Sequence, residues 1–154
     1  MLFIVEDHEP YSFMLKYELE RNSKYRIVIF RSIEECLKSI ELSPDLIILD
    51  CNLPGINDLS VLRNLKAQSF RIPMLILTRS EDTEIFHEFI RDGTFDFLLK
   101  LTDTSRLAEK LLLKIETTLQ SRKILEKSRL RRDMFYWTLA FCIVTAGIIV
   151  FILM

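Results

Sequence analysis

Five short apolar runs, each four or five residues long, punctuate the first two thirds of the chain at Leu2–Val5, Ile27–Phe30, Leu46–Leu49, Met74–Leu77 and Phe95–Leu99. Continuous runs of this length, unlike alternating ones, belong to strands buried on both faces. Between them apolar residues recur at helical spacing, over 10–22 (Tyr11, Met14, Leu15, Leu19), 32–42 (Ile33, Leu37, Ile40), 58–68 (Leu59, Leu62, Leu65) and 82–92 (Ile85, Phe89). A fifth such stretch, 103–120, carries Leu107, Leu111, Ile115 and Leu119. Strand and helix in regular alternation predict a parallel sheet covered on both faces, a doubly wound α/β domain. The punctuation agrees: Ser32, Asp58 and Thr102 or Asp103 can cap helices, Pro44 and Pro73 precede strands, and Pro54-Gly55 marks a loop.

The 154 residues allow one ordinary domain plus a short appendage. With 49% apolar residues and only 3 Gly, disordered and low-complexity classes are excluded. The net charge of −1 conceals an asymmetry. Residues 1–121 hold 15 Lys/Arg against 20 Asp/Glu, residues 122–133 hold 6 against 2, and residues 134–154 hold none. An acidic body lacks the basic face that nucleic acid requires, so no nucleic-acid partner is expected. Cys36, Cys51 and Cys142 are odd in number and far apart, which suits a reducing compartment. No leader is expected, because Met1–Val5 is apolar for five residues only before Glu6 and Asp7.

The uncharged run 134–154 is 21 residues long. At about 1.5 Å per residue a helix of that length matches a bilayer core of about 30 Å. Tyr136 and Trp137 stand at its entry, and Arg129, Arg131 and Arg132 just before it, an arrangement that predicts a single transmembrane helix with residues 1–133 in the cytoplasm. The expected organisation is therefore a domain over 1–120, a basic helical linker over 121–133 and an anchor over 134–154 in the cytoplasmic membrane. Linker and lipid headgroups would attract each other.

Doubly wound sheets bind ligands outside the carboxyl ends of their strands. At those ends stand Glu6 and Asp7 after the first strand, Asp50 after the third, Thr78 after the fourth and Lys100 after the fifth. Three clustered carboxylates repel one another unless a cation neutralises them. Hard oxygen donors, few enough to leave room for water, suit Mg²⁺. Any one of these residues alone reads as loop solvation; the whole set does not.

The segments Val5-Glu6-Asp7, Leu49-Asp50-Cys51-Asn52-Leu53-Pro54-Gly55, Leu77-Thr78 and Leu99-Lys100 resemble the signature of response-regulator receiver domains of the CheY-like type. The resemblance covers residues 1 to about 120 and implies a flavodoxin-like five-stranded sheet of order 2-1-3-4-5, an order the general rule for this fold already attributes to that family. It further implies that Asp50 is the phosphoacceptor. Asp7 would bind Mg²⁺ directly, Glu6 through water, and Asn52 through its backbone carbonyl. Thr78 would hydrogen-bond the phosphoryl group, Lys100 would pair with it, and Phe97 would move with Thr78 on activation. The implied partners are a sensor histidine kinase or a phosphotransfer protein and a downstream protein.

Arg79 stands where such domains carry a small residue, and Leu101 replaces the usual proline, which removes the preference for a cis peptide there. Cys51 reads as a small buried thiol, and His8 and His87 as surface histidines. The leading expectation is a membrane-anchored response regulator that signals through a changed binding surface, with no output domain beyond that surface and its anchor. A membrane scaffold independent of phosphorylation is the alternative. An aspartate-nucleophile phosphatase would want a second Asp where Asn52 stands, so the chain is not expected to be an enzyme.

Overall fold

A computed structural model of the chain describes residues 1–54, 56, 59–69, 72–78 and 95–153. Its elements run β1 (Leu2–Val5), α1 (Glu9–Asn22), β2 (Ile27–Phe30), α2 (Ile33–Lys38), a 3₁₀ turn (Ile40–Leu42), β3 (Leu46–Asp50), α3 (Leu59–Gln68), β4 (Met74–Thr78), β5 (Phe95–Leu99) and α4 (Thr104–Leu153). The helix expected over 82–92, with Gly55, Asp58, Arg79 and His87, lies outside the described residues.

The five strands form one sheet of order β2-β1-β3-β4-β5, every pair parallel, as the alternation of runs and periodic stretches predicts. β3 and β4 each run one residue beyond their apolar runs, to Asp50 and Thr78. This extension matters, because it puts two polar side chains on the carboxyl edge of the sheet while the strand hydrogen bonds fix their backbones.

Both alternations of the central strands are buried, which is why these strands read as unbroken apolar runs. Phe3, Val5, Ile47, Leu49 and Ile76 share one cluster with Ile33 and Cys36 of α2 and Leu65 of α3. The alternate set, Leu2, Ile4, Leu46, Ile48, Leu75 and Leu77, is buried too, as are Leu15 and Leu19 of α1 and Leu107, Leu111 and Ile115 of α4. Lys114 on α4 pairs with Asp96 on β5 at 2.6 Å and links that helix to the edge strand.

Local capping follows the sequence at two of the expected positions. Ser32 accepts from the Glu35 amide at 3.3 Å, and the Glu35 carboxylate accepts from the Arg31 amide at 3.0 Å, so the start of α2 satisfies two donors reciprocally. Asp103 accepts from the Ser105 and Arg106 amides at 3.0 and 3.2 Å and caps α4. The stretch 32–42 is not one helix, however: α2 stops at Lys38 and a 3₁₀ turn follows. Ser43 takes a left-handed backbone with φ of 51° and Pro44 comes next, a pair that ends helical structure.

The C-terminal region is helical throughout its described length. The predicted units are a domain over 1–120, a basic helical linker over 121–133 and an anchor over 134–154, and α4 runs on from the domain through 121–133 into 134–153 as one helix of 50 residues. Nothing in 121–133 is a helix breaker, since that segment holds neither Gly nor Pro. The chain divides into two compact units, Met1–Glu116 and Thr117–Met154. Among the described residues no helix is long and apolar enough to cross a membrane. In the second unit Met134, Phe135, Trp137, Phe141 and Ile143 are all more than half exposed.

Candidate functional site

Four of the five strands, β1, β3, β4 and β5, deliver polar groups to the carboxyl edge of the sheet. β1 ends at Val5, and the Glu6 amide still donates to the Phe30 carbonyl at 3.0 Å, so Glu6 is held as a continuation of the strand. Asp50 is the last residue of β3, in register with Leu77, and the next amide, Cys51, donates to the Leu77 carbonyl at 2.8 Å. Thr78 ends β4 opposite Leu99, and its carbonyl accepts from the Lys100 amide at 2.6 Å. The strand hydrogen bonds thus set the positions of Glu6, Asp50, Thr78 and Lys100 before any side-chain contact is made.

The side chains converge as the spacing implied. Glu6, Asp7 and Asp50 each offer a carboxylate oxygen, all within 4.8 Å of one another. Glu6 and Asp50 are buried while Asp7 is exposed, so the cluster opens to solvent on the Asp7 side. Lys100 donates to both buried carboxylates, to Glu6 by a very short contact and to Asp50 Oδ2 at 2.8 Å, with its own side chain 4% exposed. The other oxygen of Asp50 accepts from the Asn52 side-chain amide at 3.4 Å. Glu6 Oε1 accepts from the His8 amide at 3.2 Å. Thr78 is buried at the same edge.

Burial holds the Glu6 carboxyl above its ordinary value of 4.5; the hydrogen bond from Lys100 opposes that shift, and the Asp50 charge adds to it. Three carboxylates face one ammonium, an excess of negative charge in a mostly buried place. A hard divalent cation fits this donor set: its oxygens are close enough to share an ion, and the exposed side admits water, which Mg²⁺ retains. Glu6, Asp7 and Asp50 are the residues that could hold it.

Several sequence readings gain detail here. The Asn52 side-chain amide donates to Asp50, a contact that motif spacing did not indicate. Phe97 lies on edge strand β5 opposite Ile76 and is 38% exposed. Cys51 is only half-buried, which corrects its reading as a buried thiol, and all three cysteines are free. Burial pushes the Cys36 thiol up to about 12, so it is an inert core residue. His8 is exposed, as expected. Sequence reasoning missed Tyr11: its ring lies under the Lys100 ammonium, 4.2 Å from Nζ to the centroid, although its spacing had marked it as one of the apolar residues of α1.

Comparison with known proteins agrees with this geometry. The chain is 37% identical over 82 residues to the alkaline phosphatase synthesis transcriptional regulatory protein PhoP of Bacillus subtilis, covering 53% of this chain and 34% of that protein. It is 32% identical over 111 residues to the phosphate regulon transcriptional regulatory protein PhoB of Rhizobium meliloti, covering 70% of this chain and 48% of that one. It therefore spans between about a third and a half of the length of these relatives. Among solved structures, the signal receiver domain of a modulated diguanylate cyclase from Desulfovibrio desulfuricans superposes with a TM-score of 0.64 at 28% identity, over 80% of this chain and 95% of that one. Residues 2–112 match the response regulator receiver domain as a family, and with the sheet order and the acidic edge already described, the chain belongs to that family.

Proposed function

We propose that the chain is a phosphorylation-switched signalling module in which Asp50 accepts a phosphoryl group from a sensor histidine kinase or a phosphotransfer protein. The observation that supports this reading most strongly is the buried contact of Lys100 with Asp50 beside two further carboxylates. A carboxylate oxygen of Asp50 attacks the phosphorus, the bond from phosphorus to the donor breaks, and the electron pair leaves with the donor. Mg²⁺, held by Glu6, Asp7, Asp50 and the Asn52 carbonyl, would neutralise charge on the transferring oxygens. Lys100 supplies fixed positive charge beside the acceptor, and the Thr78 hydroxyl donates to the transferred group. Thr78 and Phe97 then carry the change to the surface around β5 and the start of α4, where a downstream protein binds.

A second element of the reading concerns 134–154. Exposed Met134, Phe135, Trp137, Phe141 and Ile143 form an apolar surface that water solvates poorly, within a run of 21 uncharged residues that follows six basic ones in 122–133. We infer that this run holds the chain at the cytoplasmic membrane, with the receiver domain in the cytoplasm. The competing reading, a membrane scaffold that ignores phosphorylation, leaves the buried Glu6, Asp50 and Lys100 set without a purpose.

The test is direct. Incubating the full chain with acetyl phosphate and Mg²⁺ should add the mass of one phosphoryl group, and Asp50→Asn should abolish the gain. Equal labelling of that variant would remove Asp50 from its role.

A further inference from the structure

We propose that Tyr11 is a positioning residue for Lys100, a role that rests on the phosphoryl-transfer reading of the site and extends it to helix α1. Among the described residues the Lys100 ammonium meets the Glu6 carboxylate, the Asp50 carboxylate at 2.8 Å, and the face of the Tyr11 ring at 4.2 Å from its centroid. The carboxylates come from the ends of β1 and β3, while the ring comes from the first turn of α1. The ammonium therefore lies between anionic oxygens and an aromatic face.

This arrangement has a physical consequence. Lysine is a compact charge on a flexible four-carbon stem, so carboxylates alone fix its distance to the acceptor poorly. An aromatic face attracts the cation and is most effective where water is excluded, and the Lys100 side chain is 4% exposed. The ring cannot accept the proton or replace a carboxylate. It confines the ammonium to the space above Asp50, where an incoming phosphoryl group needs positive charge.

The ring is itself held. The Tyr11 hydroxyl donates to the Leu101 carbonyl at 3.4 Å, in the loop immediately after the lysine. One side chain of α1 thus meets both the charge of Lys100 and the backbone that carries it. An aliphatic residue at position 11 would fill the same apolar place on α1 without either contact, so the spacing that makes Tyr11 a helix-face residue is blind to this function.

The test separates ring, hydroxyl and fold. In the full chain labelled at lysine ¹³Cε, the Lys100 methylene signal, identified by its loss in Lys100→Met, should be shifted upfield by the ring in the wild type and in Tyr11→Phe. Tyr11→Leu should lose that shift. With acetyl phosphate and Mg²⁺, Tyr11→Leu should take up phosphoryl about two- to thirty-fold more slowly, the range expected for loss of a cation–aromatic contact. Tyr11→Phe, which keeps the ring, should recover most of the rate. In the Lys100→Met background Tyr11→Leu should have little additional effect. Unchanged Lys100 shifts and rates in Tyr11→Leu would overturn the proposal, and so would an equal rate loss with and without Lys100. If the wild type itself takes up no phosphoryl group, the transfer reading fails, while the placement of Lys100 by Tyr11 still stands or falls on the ring-induced shift.

Discussion

Lys100 Nζ stands 2.8 Å from Asp50 Oδ2 while also bonding Glu6, so a single buried ammonium bridges two buried carboxylates. Removing one partner of such a set leaves like charges facing each other in a place that water reaches poorly. Lys100→Met should therefore destabilise the metal-free chain by about 3 to 5 kcal/mol at neutral pH, read by denaturant unfolding of the first unit. Millimolar Mg²⁺ should recover part of the loss, since a divalent cation can replace the missing charge. A variant as stable as the wild type without metal would mean that the ammonium contributes nothing net to holding the carboxylates.

The Glu6 carboxyl predicts a pH dependence whose sign follows from its environment. Burial raises it above 4.5 in the folded chain, so the folded state binds this proton more readily than the unfolded state does. Its contribution to stability is fully present below pH 4.5 and is lost as pH rises through the raised folded value. Thermal melts without metal should show this falling limb, and Glu6→Gln, which cannot ionise, should flatten it. An unchanged limb in that variant would assign the dependence to another group of the cluster.

Much of this fold was legible because buried parallel strands write themselves as unbroken apolar runs. Leu2–Val5, buried throughout, has the same bounds in the sequence and in the structure, and so does the edge strand Ile27–Phe30, which is fully buried only at Ile27. β3 and β4 were read one residue short because Asp50 and Thr78 are polar, yet their backbones still pair with β4 and β5, and apolar patterning does not register a polar residue at a strand end. The acidic edge was legible from strand ends alone. Tyr11 and the Asn52 side chain were not, because their contacts depend on the direction of a side chain across elements and not on spacing along one. The helical stretch 32–42 misled for another reason: Ile40 keeps the period, but Ser43 and Pro44 impose a turn that periodicity ignores.

Metal affinity should distinguish the two acidic residues that follow β1. Asp7 is exposed at the mouth of the cluster, whereas Glu6 already accepts from Lys100 and from the His8 amide. Asp7→Ala should weaken Mg²⁺ binding more than Glu6→Ala, and by at least the roughly tenfold that loss of a group merely supporting a metal ligand costs. Calorimetry resolves the difference. Equal affinities for the two variants would show that Asp7 is not a direct ligand.

The remaining prediction concerns 134–154. Apolar side chains such as Phe135, Trp137 and Phe141 are more than 60% exposed on α4, a condition that water disfavours and that a bilayer relieves. The full chain should therefore sediment with membranes and resist extraction by both high salt and alkali, whereas a chain ending at Asp133 should stay in the supernatant. Thr145→Arg should weaken retention, because an arginine near the middle of a spanning helix costs about 2.5 to 3.5 kcal/mol. Spanning and surface binding have different signatures. A reporter fused after Met154 should be found outside the cytoplasm if the run crosses, and the receiver domain should then be digested by protease added to inverted vesicles. Release by salt alone would reduce the attachment to attraction between anionic headgroups and the six basic residues of 122–133. Release by alkali with a cytoplasmic reporter would place 134–154 on the bilayer surface or against a partner protein, and would refute the spanning topology.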